Sequence, residues 1–174
     1  MKLRIATNND CEEIIVLIAE VLKEYDLPLF LDSSDAELHD IWGNYSAKGG
    51  IFKVLENEQG KIIGTVALRG INKQVCELRR MYLRSETRGR GLGNFLLLEA
   101  ITKARSLGFS RVVLDTSSSL KEAIGLYRKF GFEPVQPLCP NKSCDLSFSL
   151  DLWSFEKDNS VKEIKYPWEN AHMK

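Results

Sequence analysis

The chain has no apolar run long enough to cross a bilayer: the longest, Ile14 to Ala19, falls far short of the roughly 20 residues that a membrane helix needs. The start, M-K-L-R-I-A-T-N-N-D, lacks the apolar core of a secretion signal, so the expected compartment is the cytoplasm. Net charge is also missing. The 24 basic side chains are balanced by 24 acidic ones, which removes bulk attraction to nucleic acid or to an anionic membrane as an expectation. Cysteine is scarce. Cys11, Cys76, Cys139 and Cys144 are too few and too scattered for a disulfide framework, and the P-N-K-S spacer between the last two does not match the tight C-x-x-C of a zinc knuckle. The two histidines, His39 and His172, stand alone, so no metal is expected, and His39 sits in a polar stretch that reads as surface.

What is present describes a soluble globular chain. A length of 174 residues with 44% hydrophobic and 28% charged content suits one domain with one substantial core. The domain is expected to span 1–154. The tail, 155–174, is mixed in charge, with Tyr166, Pro167 and Trp168 as its large anchors; it can pack on the domain, contact a second subunit in a homodimer, or fray.

Periodicity gives the order of elements. Leu3 to Ala6 reads as a strand, and Asn8, Asn9 and Asp10 offer cap chemistry for a helix carrying Ile14, Leu17, Ile18, Val21 and Leu22 on one face, ending near Tyr25. The segment Asp26 to Asp32, broken by Pro28, reads as a packed loop. Ser33 or Ser34 is expected to cap a second helix through Ala36, Leu38, Ile41, Trp42 and Tyr45. Three strands joined by short turns follow at Ile51 to Glu56, Lys61 to Arg69 and Val75 to Leu83. A long helix over Leu92 to Ser106 leads to a buried strand, Arg111 to Asp115, which can run parallel to the strand before the helix. A further helix, Leu120 to Phe130, ends at Gly131, and alternation in D-L-S-F-S-L-D-L puts Leu146, Phe148, Leu150 and Leu152 on one face of a last strand. The fold class is therefore α/β.

The chemistry is expected at R-G-R-G-L-G, Arg88 to Gly93, between the third strand of the meander and the long helix. Glycines at every second position leave amide groups unshielded, and the helix start adds its own unpaired N–H groups and dipole. Guanidiniums such as those of Arg88 and Arg90 match phosphate oxygens. This reads as an anion cradle suited to a pyrophosphate, although a plain strand-to-helix linker would also use such residues. A P-loop would need Lys-Ser/Thr where Asn94-Phe95 stand, and a dinucleotide fingerprint would need Gly or Ala at Asn94. A methyltransferase G-x-G-x-G fits the spacing, with Asp115 as a ribose partner, but leaves both arginines unexplained because that cofactor has no phosphate.

The remaining pattern, Arg/Gln-x-x-Gly-x-Gly/Ala, is met by Arg88, Gly91 and Gly93 and resembles the GNAT superfamily of N-acetyltransferases. C-E-L-R-R-M-Y-L (Cys76 to Leu83) and A-I-G-L-Y-R-K-F-G-F (Ala123 to Phe132) are similar to the neighbouring motifs of that superfamily, in the same order. The resemblance implies a mixed central sheet flanked by helices, with parallel strands splayed around acetyl-CoA. It places the pantetheine arm along Met81, Tyr82 and Leu83 and the pyrophosphate on Arg88, Gly89, Arg90, Gly91, Leu92, Gly93 and Asn94. It implies transfer to a primary amine of a small molecule or peptide, with Glu77 as base, Tyr127 as acid beside the coenzyme sulfur, and an oxyanion donor from main chain near Met81 or Tyr82. A phenol with a pKa near ~10 stays protonated at neutral pH and can supply the thiolate with a proton. Glu77 can equally be an ion-pair partner of Arg79 or Arg80, and Tyr127 a core residue. One departure stands out: many members carry asparagine three residues before the position of Ala123, where this chain has Leu120, leaving Ser117, Ser118 or Ser119 for that contact. Asp26, Asp32, Asp35 and Glu37 could draw in a cationic amine, or merely solvate a helix. A non-catalytic acyl-CoA-binding module would share all the binding features.

Overall fold

The computed structural model describes residues 1–136 and 144–153. Within them a seven-stranded sheet runs in the order β1-β2-β3-β4-β5-β7-β6. The strands are β1 (Lys2–Ile5), β2 (Ile51–Glu56), β3 (Ile62–Gly70), β4 (Val75–Leu83), β5 (Arg111–Thr116), β6 (Glu133–Val135) and β7 (Leu146–Asp151). The helices are α1 (Cys11–Lys23), α2 (Ile41–Asn44), α3 (Leu92–Ser106) and α4 (Lys121–Lys129). β4 and β5 are the parallel pair, joined through α3, and every other pairing among the described strands is antiparallel.

Each face of the sheet has its own core. α1 buries Ile14, Leu17, Ile18, Val21 and Leu22 on one face with Leu38, Ile41, Tyr45, Phe52 and Val54. α3 and α4 cover the other, where Leu96, Leu97, Ala100, Ile101 and Tyr127 meet Val66, Leu68, Val112, Leu114 and Phe148. β3 lies at the centre, buried along Ile62 to Leu68 on both faces, which is why it reads as a continuous apolar run and not as alternation.

Two sequence expectations are corrected. The second helix is not one helix: residues 36–39 and 46–48 form single 3₁₀ turns on either side of the four-residue α2. Leu38, Ile41 and Tyr45 are buried, so the helical spacing of apolar residues was real. The chain nevertheless leaves helical geometry at Asp40 (φ −142°, ψ 78°), and it is the Asp40 carboxylate, not Ser33 or Ser34, that accepts the N–H of Gly43 as a cap. Trp42 and Phe30 point outward, at 60% and 44% exposure, while Tyr45 is interior. The second correction is β6, which the sequence reading passed over. Its three residues are all exposed, so it shows no alternation, and Pro134 is tolerated because β6 is the sheet edge. Cys139 and the tail residues Tyr166, Pro167, Trp168 and His172 lie outside the described residues.

Candidate active site

The opening begins where β4 and β5 stop pairing. Their parallel ladder covers Val75 to Glu77 against Arg111 to Val113. β4 then continues to Leu83 beside β3, while β5 continues to Thr116 beside β7. The strands part, leaving a wedge between Leu78–Leu83 and Leu114–Thr116 at their C-terminal ends, the position at which α/β sheets take ligands.

A bulge in β4 lies at the same level. Thr65 pairs with Tyr82 and Ala67 with Arg79, so Val66 faces both Arg80 and Met81. Arg80 has a left-handed backbone, φ 51°, a conformation that a bulge usually gives to glycine. The Thr65 hydroxyl donates to the Arg80 carbonyl at 2.6 Å. Beyond the bulge, Met81 and Leu83 pack toward the α3 core and Tyr82 toward the α1 core.

β4 hands the chain through a 3₁₀ turn, Ser85–Thr87, to the glycine loop. Gly89 and Gly91 have φ of 75° and 79°, and nothing lies within 4 Å of where a Cβ would stand on either. Gly93 differs. A Cβ there would come within 3.3 Å of Leu126, so the third glycine serves helix packing while the first two face open space. Gly91 caps α3, whose Phe95 N–H bonds the Gly91 carbonyl at 3.0 Å; the amides of Leu92, Gly93 and Asn94 have no main-chain acceptor among the described residues. This surface fits a diphosphate: bare amides, a helix start and room for oxygens. Replacing Gly91 by valine is expected to weaken coenzyme A binding at least ~10-fold, about 1.4 kcal/mol, in a calorimetric titration. Gly108→Val is the control. Gly108 has a similar backbone, φ 87°, at the far end of α3, so it should carry the same strain without the loss of affinity.

The two loop arginines separate. The Arg88 guanidinium donates to both Glu24 carboxylate oxygens, at 2.6 and 3.2 Å, and to the Leu83 carbonyl at 3.0 Å, and lies 5.9 Å from the centre of the Tyr25 ring. Its side chain therefore ties the loop to the end of α1. Arg90 is exposed and has no ion-pair partner among the described residues. A cation that sequence reasoning missed is Lys129, on α4, whose ammonium donates to Asn94 Oδ1 at 3.1 Å beside the start of α3. Nothing local in the sequence links the two positions.

Glu77 sits half-buried on the α1 face of β4. Arg69 donates to its Oε2 at 2.7 Å, and Arg79 Nη1 reaches Oε1 at 3.2 Å and Oε2 at 3.4 Å. Next to it, Glu37 Oε1 accepts from Arg79 Nη2 at 2.9 Å, Arg80 Nε at 3.1 Å and the Tyr45 hydroxyl at 3.2 Å, while Asp35 accepts from Arg80 at 2.7 Å. Three guanidiniums and three carboxylates thus interlock over the bulge. Burial opposes ionisation of Glu37, but the charges of Arg80 and Arg79 outweigh it and hold its pKa below the usual carboxylate range.

Tyr127 is on the opposite face, in the α3 core, with its ring 5.8 Å from that of Phe132 and 6.4 Å from that of Phe148. Burial pushes its phenol pKa up, and the nearby Tyr82 adds to the effect, so the group is neutral at pH 7. Its hydroxyl has no hydrogen-bond partner among the described residues. The structure therefore sets Glu77 and Tyr127 on the two sides of the sheet, not side by side. At the end of β5, the Ser118 N–H donates to Asp145 and the hydroxyls of Ser117 and Ser119 share a 2.8 Å hydrogen bond. No metal-binding cluster occurs among the described residues, and no described helix is long and apolar enough to cross a membrane.

A splayed parallel pair, a bulge and a glycine cradle define a class of acyl-CoA-binding fold, and comparison with known proteins agrees. Residues 15–132 match the model of the acetyltransferase (GNAT) family. An uncharacterized N-acetyltransferase of Schizosaccharomyces pombe is 35% identical over 133 residues, which cover 76% of this chain and 82% of that protein. A GNAT-family acetyltransferase from Staphylococcus aureus superposes with a TM-score of 0.82 at 21% identity, covering 87% of this chain and 98% of that one. A phosphinothricin acetyltransferase from Sinorhizobium meliloti, solved in complex with acetyl-CoA, superposes with a TM-score of 0.65 at 23% identity, covering 86% of this chain and 87% of that one. The chain belongs to the GNAT family and is an acetyl-CoA-dependent acetyltransferase.

Proposed function

We propose that the chain transfers the acetyl group of acetyl-CoA to a primary amine of a small molecule or peptide by direct attack, within one domain spanning 1–154. The observation that carries this reading is the parting of β4 from β5 immediately before the open glycine loop, because it leaves a strand edge and an anion cradle in line for one ligand. The free edge of Met81 to Leu83 takes the pantetheine amides as an added strand would. The loop from Arg88 to Asn94 takes the diphosphate through its main chain, with Arg90 and Lys129 supplying charge while Arg88 holds the loop in place.

Acyl transfer needs an uncharged amine, a donor for the developing oxyanion and a proton for the thiolate. Tyr127 supplies the proton from the α4 side, and a main-chain N–H at the bulge serves the oxyanion. Glu77 takes the proton of the amine through water; its contacts to Arg79, at 3.2 and 3.4 Å, are the long ones that a base would release. Glu77→Gln is expected to lower kcat/KM about 10²-fold at neutral pH with acetyl-CoA affinity little changed. If Glu77 acts solely in the ion-pair network, the variant melts earlier but keeps nearly native kcat/KM.

The test of the function is a panel of amines, polyamine, amino acid, aminoglycoside and lysine peptide, scored by coenzyme A release. Amine-dependent thiol release supports the reading. Saturable acetyl-CoA binding without release from any amine would identify a binding module instead.

A further inference from the structure

We infer that Thr65, a buried residue of β3 remote from the glycine motif, is a positioning residue for acetyl transfer: its hydroxyl fixes the peptide that presents the oxyanion donor. The inference rests on the function proposed above and adds to it a residue that none of the sequence motifs contains.

The Arg80–Met81 bond is trans, since no described peptide is cis, and in a trans unit the N–H points opposite to the C=O. The Arg80 carbonyl is held by the Thr65 hydroxyl at 2.6 Å, toward β3. The Met81 N–H is therefore turned away from β3, to the side on which β5 ceased to pair after Glu77 and Val113. That side is the wedge. An ordinary residue in a two-sided sheet would spend this N–H on a neighbouring strand, but among the described residues β4 has no neighbouring strand there.

The arrangement has to be held. A non-glycine residue in the left-handed region is under strain of about 1–3 kcal/mol and persists only where its surroundings over-determine it. Arg80 is one of two such residues in the described chain, the other being Asp26 in the loop after α1. Its side chain is fixed by Asp35 and Glu37, and its carbonyl is fixed by Thr65. The side-chain clamp sets where the guanidinium goes. The Thr65 bond acts on the peptide plane, and hence on the direction of the Met81 N–H.

Thr65 has no solvent exposure, and it lies opposite Tyr82 in a register that a valine would fill equally well. Packing alone does not call for a hydroxyl at this position. Thr65→Val removes the hydrogen bond at nearly constant shape, while Thr65→Ser keeps the hydroxyl and loses a methyl group.

The experiment reads the carbonyl stretch of acetyl-CoA labelled with ¹³C at the thioester carbon, bound to the full chain, in infrared difference spectra; it needs no amine. A hydrogen bond to the carbonyl lowers the frequency. The native protein and Thr65→Ser are expected to show a lowered band, and Thr65→Val a band returned toward that of free acetyl-CoA, with acetyl-CoA affinity unchanged within about 3-fold. With an accepted amine, Thr65→Val should lose about 10- to 100-fold in kcat with little change in KM for acetyl-CoA, as a misplaced catalytic group does, and Thr65→Ser should recover most of it. A native band position in Thr65→Val overturns the inference, as does equal loss in both variants, which would point to packing at this position and not to the hydroxyl. Failure of the native protein to bind acetyl-CoA would overturn the proposed function itself.

Discussion

Tyr127→Phe is expected to lower turnover by about 10²- to 10⁴-fold, the range ascribed to a positioned general acid, while leaving acetyl-CoA affinity within about 3-fold. The variant removes one oxygen atom from a side chain whose ring packs on Phe132 and Phe148, so the core keeps its shape. The hydroxyl forms no hydrogen bond to the described residues, so its removal leaves no buried partner unpaired. Stability should therefore change little, and a fall in rate would report chemistry. The raised pKa does not disqualify the phenol as an acid. The same apolar surroundings that disfavour a phenolate also disfavour a departing thiolate, and the proton passes between two groups that are both costly to ionise there. Stopped assays of thiol release, with calorimetric affinities in parallel, separate the two quantities. Unchanged turnover would leave Tyr127 as a packing residue.

Glu37→Ala is expected to destabilise the protein by about 3 kcal/mol. Glu37 answers two guanidiniums and a phenol, and its side chain and that of Arg80 are nearly enclosed, at 12% and 7% exposure. Removing the carboxylate leaves Arg80 with Asp35 alone and Arg79 with Glu77 alone, and Arg79 Nε is already a buried donor without an acceptor. Glu37→Gln should recover only part of the loss, since it keeps an acceptor without the charge. The pH dependence follows in sign. A carboxylate held below its usual pKa contributes fully above about pH 4.3, its unfolded range, and the contribution is lost as pH falls through the lower folded value. Denaturant titrations at pH 7 and near pH 3 should show the difference between native protein and variant shrinking at the acid end. A constant difference would mean that the network contributes shape and not charge.

Much of the frame could be read from local pattern. α3 begins and ends at Leu92 and Ser106, and β4 at Val75 and Leu83, as periodicity and flanking glycines indicate. The glycine loop also stands where its residues suggest, because a positive φ and a bare amide are properties of glycine itself. Long-range relations were not legible. Arg80 meets Glu37 across 43 positions and Lys129 meets Asn94 across 35, and no periodicity encodes such pairings. Nor does the sequence reveal that Glu24 reaches Arg88 from α1. The bulge was hidden for another reason. Bulges that need a left-handed residue commonly advertise themselves with glycine, and here an arginine takes that conformation under the pull of its partners.

The brief contact between β4 and β5 has one more consequence. Among the described residues, three rungs, Val75 to Arg111, Cys76 to Val112 and Glu77 to Val113, make up the direct ladder that joins the first four strands to the last three. In the binding mode proposed above, a guest lodged along the parted edges would extend that ladder, and the protein would be more firmly stitched together loaded than empty. Catalysis and mechanical cohesion would then share one joint.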